Sequence, residues 1–273
     1  MTDHDFSVIS GYAYKYTGIK LSHHKMEMVY SRLSRRLRKL GLGCFKEYCN
    51  YLTQSPGEEK QDFINAITTN LTAFFREKHH FEYLTEAIVP LLKTRNRLKR
   101  RIRIWSAGCS TGQEPYSIAM QLDKGGFGQG WDVRILATDL DSNVLAKAQS
   151  GIYPVEQIEN LPAQKRRYFS RDERDGNVRI ATKIKEKICF KELNLLGQWP
   201  MKGPLDIIFC RNVIIYFDKQ TQEKLFQRFN RILAPGGYLF LGHSETMPKL
   251  RRGYRHIYRT IYQKWGDDSA GDV

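Results

Sequence analysis

The string RIRIWSAGCSTGQEPY at residues 101–116 begins as an alternating strand, breaks at two glycines and resumes with the composition of a helix. A strand that ends in a glycine-bearing turn and opens a helix is the first unit of a parallel α/β sheet. Gly108 and Gly112 lack a Cβ, so a ligand is expected to approach the backbone there. Their spacing is G-x-x-x-G. The dinucleotide pattern G-x-G-x-x-G is absent, and no Gly-Lys-Ser/Thr follows, so a pyrophosphate cradle is disfavoured. On this string alone a tight turn without a ligand stays open.

Downstream the rhythm continues. Strands are expected at 102–106, 133–138, 205–210 and 238–241, with helices at 114–122, 142–149 and 219–233. Short apolar strands separated by helices imply a parallel sheet covered on both faces. The stretch 153–193 breaks the pattern with NLP at 160–162, a polar turn at 171–177 and short β-like runs at 178–181 and 188–190. It reads as a small antiparallel insertion in an α/β domain spanning 101–265. A polar tail at 266–273, expected to be flexible, follows.

Upstream, residues 1–80 read as a helical domain. From 26 to 40 the apolar residues Met26, Tyr30, Leu33, Leu37 and Leu40 recur at three- and four-residue steps, and Arg32, Arg35, Arg36 and Lys39 share that spacing on another face. Six basic residues and one acid, Glu27, lie between 25 and 39, so this face is a candidate docking surface as well as an ordinary solvated one. A second helix is expected at 58–68. Residues 93–103 hold seven basic residues and no acid, and 81–100 is taken as the link between the two domains.

At 273 residues the chain can bury a full α/β core plus a smaller companion. Its net charge of +15 points to an anionic partner without choosing among nucleic acid, membrane and acidic protein. Five cysteines without a C-x-x-C pair argue against a disulfide framework and a zinc site, and the adjacent histidine pairs 23–24 and 79–80 do not restore a metal reading; no metal is expected. No apolar run approaches the length of a membrane span and the first residues lack a signal-peptide layout, so a cytoplasmic protein is expected.

The second strand ends in ATDLD at 137–141. A carboxylate at the end of the strand beside a glycine turn can accept hydrogen bonds from both hydroxyls of a ribose, so Asp139 indicates an adenosine ligand without naming it, while Asp141 suits the cap of the next helix. The fourth strand delivers Arg211 and Asn212 at its carboxyl end, where open α/β sheets place ligands.

Taken in order, NLTAFFR at 70–76, SAGCSTGQEPYS at 106–117, SGIY at 150–153, FCRNVIIYFD at 209–218 and GHSE at 242–245 resemble the CheR-type chemoreceptor glutamate methyltransferases, over roughly residues 5 to 262. The resemblance implies a Rossmann-like S-adenosylmethionine-dependent methyltransferase domain with a small antiparallel β insertion, preceded by an all-α domain. It implies cofactor contacts at Asn70, Thr72, Arg76, Glu114, Asp139, Asn194, Leu195, Arg211 and Asn212, with Arg76 and Tyr216 beside the transferred methyl. The implied substrate is the glutamate-rich methylation region of chemotaxis receptors, with Arg32, Arg35, Arg36 and Lys39 docking on it and the product S-adenosylhomocysteine released. In some members the β insertion also holds a receptor C-terminal peptide. A monomer without nucleic acid or membrane insertion is expected. Taken singly, Asn70 and Thr72 also suit helix caps, Glu114 a dipole partner and Tyr216 a core aromatic; His243 has no evident chemical task. A nucleic-acid methyltransferase would need an Asn/Asp-Pro-Pro-aromatic run after the fourth strand, where this chain has Arg211 and Asn212. A non-catalytic cofactor-binding scaffold and a dinucleotide dehydrogenase are the other rivals.

Overall fold

A computed structural model describes residues 1–54, 56–127, 130–172, 176–247 and 253–266. Residues 267–273 of the expected tail and 173–175 of the expected polar turn lie outside the described residues.

Four helices open the chain: α1 (Asp3–Thr17), α2 (Met26–Leu40), α3 (Phe45–Gln54) and α4 (Pro56–Ile67). Thr2 and Asp5 close a capping box on α1, and Gly18 and Gly41 end α1 and α2 in the left-handed conformation that glycine adopts without strain. The buried row of α2 is Val29, Leu33 and Leu37, packed with Ile9, Tyr48, Leu52 and Phe63. Tyr30, expected on that face, is instead 50% exposed, because a strict four-residue step from Val29 places it past the edge of the contact.

The stretch 81–100 is not an open linker. It carries α5 (Lys78–Tyr83), a π-helical turn (Leu84–Ile88) and α6 (Val89–Arg95), and Phe81, Leu84, Ile88 and Leu92 are buried in the core of the α/β domain. That domain continues through β1 (Arg101–Ala107), α7 (Gln113–Lys124), β2 (Asp132–Asp139), α8 (Ser142–Ser150), β3 (Ile152–Pro154), α9 (Glu156–Glu159), α10 (Ala163–Arg166), β4 (Phe169–Asp172), β5 (Asn177–Ile180), α11 (Thr182–Lys185), β6 (Ile188–Glu192) and β7 (Leu205–Cys210). A 3-10 turn (Ile214–Tyr216), α12 (Lys219–Ile232), β8 (Leu233–Leu241), β9 (Tyr254–Tyr258) and β10 (Ile261–Lys264) complete it.

The main sheet has the order β6-β2-β1-β7-β8-β10-β9, parallel from β6 through β8 and antiparallel at β8-β10 and β10-β9. Strand pleating sends Ile102, Ile104, Ile207 and Phe209 to one core and Trp105, Ala107, Ile208 and Cys210 to the other. All six residues of β7 are buried, as befits a central strand covered on both faces. The order reverses between β1 and β7, so the crevice at their carboxyl ends is the place an open sheet offers a ligand. The insertion is a separate sheet, β3-β5-β4. The run expected there at 188–190 belongs elsewhere: β6 pairs in parallel with β2 at the edge of the main sheet. A three-residue β-like run does not reveal which sheet it joins.

Candidate functional site

One cleft opens at the switch point, between the carboxyl ends of β1, β2 and β7 and the helical domain. Every residue the family pattern assigned to cofactor or methyl lines it: Asn70, Thr72, Arg76, Glu114, Asp139, Asn194, Leu195, Arg211, Asn212 and Tyr216. The helical domain closes the other side with Ile19, Leu21, Lys25 and Met28.

Asp139 stands at the end of β2. Its two carboxylate oxygens accept the backbone N–H groups of Ser110 (2.8 Å) and Asp141 (3.0 Å), which fix it against the glycine turn and leave each oxygen a second lone pair. Burial pushes its carboxyl up, against the pull of those amides. Asp141 caps α8 through Asn143 and Val144, as expected, and its other oxygen accepts from Thr68 and Asn70, both at 2.7 Å. Asn70 therefore spends its amide on tying the two domains together. Asn194 does the same from the other wall, donating to the carbonyl of Tyr16 (2.8 Å) and accepting from the N–H of Leu196 (2.9 Å). Leu195 is buried beneath it.

The glycines act differently from expectation. Gly108 and Gly112 both have positive φ, at 84° and 95°. A Cβ on Gly108 would run into the Val213 side chain, and one on Gly112 would lie 2.8 Å from the Ala148 Cβ and 2.9 Å from the Tyr153 hydroxyl. Both are needed for the turn and for close packing of protein on protein, and only Gly108 also lines the cleft.

Glu114 opens α7 and is buried. One oxygen accepts from the Ser106 hydroxyl at 2.7 Å, the other from Arg211 Nη1 at 3.0 Å. Burial pushes its carboxyl up while Arg211 pulls it down. The same guanidinium donates from Nη2 to the carbonyl of Arg76 (2.5 Å) and pairs with Glu77 (3.2 Å). Glu77 also meets His243 Nδ1 at 2.9 Å, which supplies the place, if not the chemistry, that the sequence left open for that histidine. Glu77 is held near pKa 2 although burial, its largest influence, opposes this; Arg211 and His243 more than compensate. Arg76 commits Nη1 to the carbonyl of Leu71 at 2.9 Å. Tyr216 is half-buried, its ring 5.4 Å from the Lys25 ammonium and its carbonyl accepting from the N–H of Lys20.

Glu245 escaped the reading of residue roles. It is 3% exposed, and its carboxylate accepts four backbone N–H groups: Gly242 (2.6 Å), Asn212 (2.8 Å), Ile214 (2.7 Å) and Ile215 (3.2 Å). It thus clamps the turn that carries Asn212 and Tyr216. Its one sequence signal is an acid closing the GHSE string beside a glycine.

The four basic residues of α2 do not form one free face. Arg32 donates to the carbonyls of Ile67 (2.7 Å) and Thr68 (2.8 Å), capping α4. Arg36 pairs with the buried Glu59 (2.5 Å) and with Asp62 (2.7 Å). Arg35 and Lys39 are exposed and make no side-chain pair among the described residues.

Residues 70–263 match the family model for the CheR methyltransferase SAM binding domain, and residues 4–68 match that for the CheR methyltransferase all-alpha domain. The chain is 47% identical over 269 residues to a chemotaxis protein methyltransferase of Escherichia coli, covering 96% of this chain and 91% of that one. It is 45% identical over 265 residues to chemotaxis protein methyltransferase 2 of Pseudomonas aeruginosa, covering 96% and 93%. With both of its domains matched in order and a cleft built from the family's motifs, the chain belongs to the CheR methyltransferases, enzymes that use S-adenosylmethionine.

Proposed function

We propose that this enzyme transfers the methyl of S-adenosylmethionine to glutamate side-chain carboxylates in the cytoplasmic methylation region of chemotaxis receptors. The observation that carries this reading is the cleft's lack of a free base among its described lining residues. It has no histidine, Glu114 is buried and held by Ser106 and Arg211, Asp139 is pinned by two backbone amides at the strand end that suits a ribose, and burial raises the Cys109 thiol well above its ordinary value. An alcohol or amide acceptor would need a base to take its proton. A carboxylate is already ionised near neutral pH, its reference pKa being about 4.3.

The residues fit the cofactor. Asp139, pinned by two amides with lone pairs to spare, suits a ribose diol, and Leu140, Ile67 and Met28 supply apolar walls beside it. Bound, S-adenosylmethionine supplies a methyl already made electrophilic by its sulfonium. What remains for the protein is to align the acceptor oxygen and exclude water around it. Tyr216, whose hydroxyl makes no hydrogen bond among the described residues, orients the acceptor carboxylate. Arg76 serves mainly the cofactor, since a second strong donor on the carboxylate would stabilise the ground state and slow transfer.

Arg35 and Lys39 steer the glutamate-rich receptor helices toward the cleft. In the insertion, β4 pairs only with β5 among the described residues, leaving an edge that can take an added strand from a receptor C-terminal peptide. The test is methylation of a receptor cytoplasmic fragment against the same fragment with its methylation-region glutamates changed to glutamine. Incorporation confined to the unmodified fragment supports the proposal; equal incorporation into both contradicts it.

A further inference from the structure

The charge of the chain is not exhausted by the docking helix. At the amino end of β1, the turn at residues 96–100 and the strand's first residue carry Arg97, Leu98, Lys99, Arg100 and Arg101 in succession. All five are exposed, and Leu98, at 90%, is the most exposed large apolar side chain among the described residues. None of the four cations has an ion pair or side-chain hydrogen bond among the described residues. The nearby acids are occupied. Asp206 accepts from Arg95 (2.5 Å), Asn96 (2.9 Å) and the N–H of Arg103 (2.8 Å), while Asp132 pairs with Arg103 and Arg134.

The turn is built rather than loose. The N–H of Arg100 donates to the carbonyl of Asn96 (2.8 Å), Asn96 Nδ2 donates to the carbonyl of Arg101 (3.0 Å), and the N–H of Asp132 donates to the carbonyl of Arg100 (2.8 Å). Arg100 sits at φ 43°, a conformation that costs a non-glycine residue free energy and persists because these bonds over-determine it. The result is an aliphatic tip held out in water inside a cluster of four unneutralised cations.

We infer that this turn is a peripheral docking element for an anionic lipid surface, with Leu98 entering the headgroup layer and Arg97, Lys99, Arg100 and Arg101 meeting lipid phosphates. An apolar tip flanked by Lys and Arg is the composition that seats on such a surface. A single-strand nucleic-acid platform would offer flat aromatic rings for stacking, and residues 96–101 contain none. The position fits as well. β1 runs seven residues from Arg101 to Ala107, so the turn and the cleft lie about 20 Å apart at opposite ends of one sheet, and a seated enzyme keeps its cleft open to cofactor and substrate. Docking here raises the local concentration of enzyme at the membrane without touching the chemistry.

Sedimentation of the full chain with vesicles tests this, comparing pure phosphatidylcholine with a mixture containing phosphatidylglycerol, at low and high salt. The expected result is association with the phosphatidylglycerol vesicles only, lost at high salt. Each cation contributes about fivefold near an anionic surface, so Lys99→Gln with Arg101→Gln weakens association roughly 25-fold. Leu98→Ser weakens it several-fold at unchanged charge, and all variants keep the parent's cofactor affinity and turnover on a soluble receptor fragment. Absence of association with anionic vesicles, or equal association by the parent and both variants, overturns the inference. Tighter binding to an oligonucleotide than to vesicles, unaffected by Leu98→Ser, also overturns it and marks a nucleic-acid surface instead.

Discussion

Glu245 accepts the backbone N–H of Asn212 at 2.8 Å across a gap of more than thirty residues, and the same carboxylate holds Gly242, Ile214 and Ile215. A buried acid with four amide donors is satisfied by backbone alone, so it fixes the turn ahead of Tyr216 without itself entering the cleft.

Glu245→Gln brings an NH2 group against amide donors and leaves some of them unpaired, at a cost of about 1–3 kcal/mol for a buried group. Thermal unfolding is expected to register that loss. Turnover should fall by more than cofactor affinity, because the displaced element is the Tyr216 turn rather than the Asp139 wall. Glu245→Asp, which keeps the charge on a shorter arm, should recover part of both.

The basic face of α2 divides into two kinds of residue. Arg36→Ala strips the partner from Glu59, which is 1% exposed, and breaking a buried pair on one side costs about 3–5 kcal/mol. That variant should unfold at markedly lower denaturant. Arg35→Glu and Lys39→Glu should leave stability within about 0.5 kcal/mol of the parent and cofactor affinity unchanged. They should slow receptor methylation, most of all at low ionic strength. Urea titrations beside methylation rates at two salt concentrations separate the classes.

Acid stability turns on His80. Its Nε2 lies 3.0 Å from the Thr260 hydroxyl, which itself donates to the carbonyl of Leu241, so Nε2 carries the proton and Nδ1 presents a lone pair toward Glu77 at 3.3 Å. That explains why the Nδ1 atom and the facing Glu77 oxygen are close yet unbonded. Burial, then the charge of Arg211, lowers the His80 pKa to about 3. The unfolded chain therefore binds a proton near pH 6.5 that the folded chain refuses until about pH 3, so stability falls as pH drops through that window. The loss is on the order of 2 kcal/mol at pH 5. Denaturant titrations from pH 8 to 5 should show this slope, and His80→Gln should flatten it.

Much of this was legible in residue patterns. The expected bounds 205–210 for β7 and 26–40 for α2 match the structure because dense apolar runs and helical periodicity survive without context. The segment 81–100 reads as a link between domains because basic residues crowd its second half, yet Phe81, Leu84, Ile88 and Leu92 carry a helical step that seats them in the core. The hairpin β9-β10 is not legible in the sequence because its two short strands mix aromatic residues with basic and polar ones and carry no clean alternation. In the site, the cleft-lining set was readable from ordered motifs. The division of labour within it was not, because Asn70, Asn194, Arg32 and Glu245 spend their side chains on backbone groups or partners that only the folded chain brings near.

On the proposed reading the methyl goes to a carboxylate oxygen aligned in a cleft whose described lining residues include no free base. The direct measurement is the alkali lability of methyl label transferred from S-adenosylmethionine to a receptor cytoplasmic fragment. The expected result is release of the label as methanol under mild base, with Tyr216→Phe slowing its incorporation while cofactor affinity holds. Label that resists base, as on nitrogen, or that appears on nucleic acid instead of the fragment, would contradict the account.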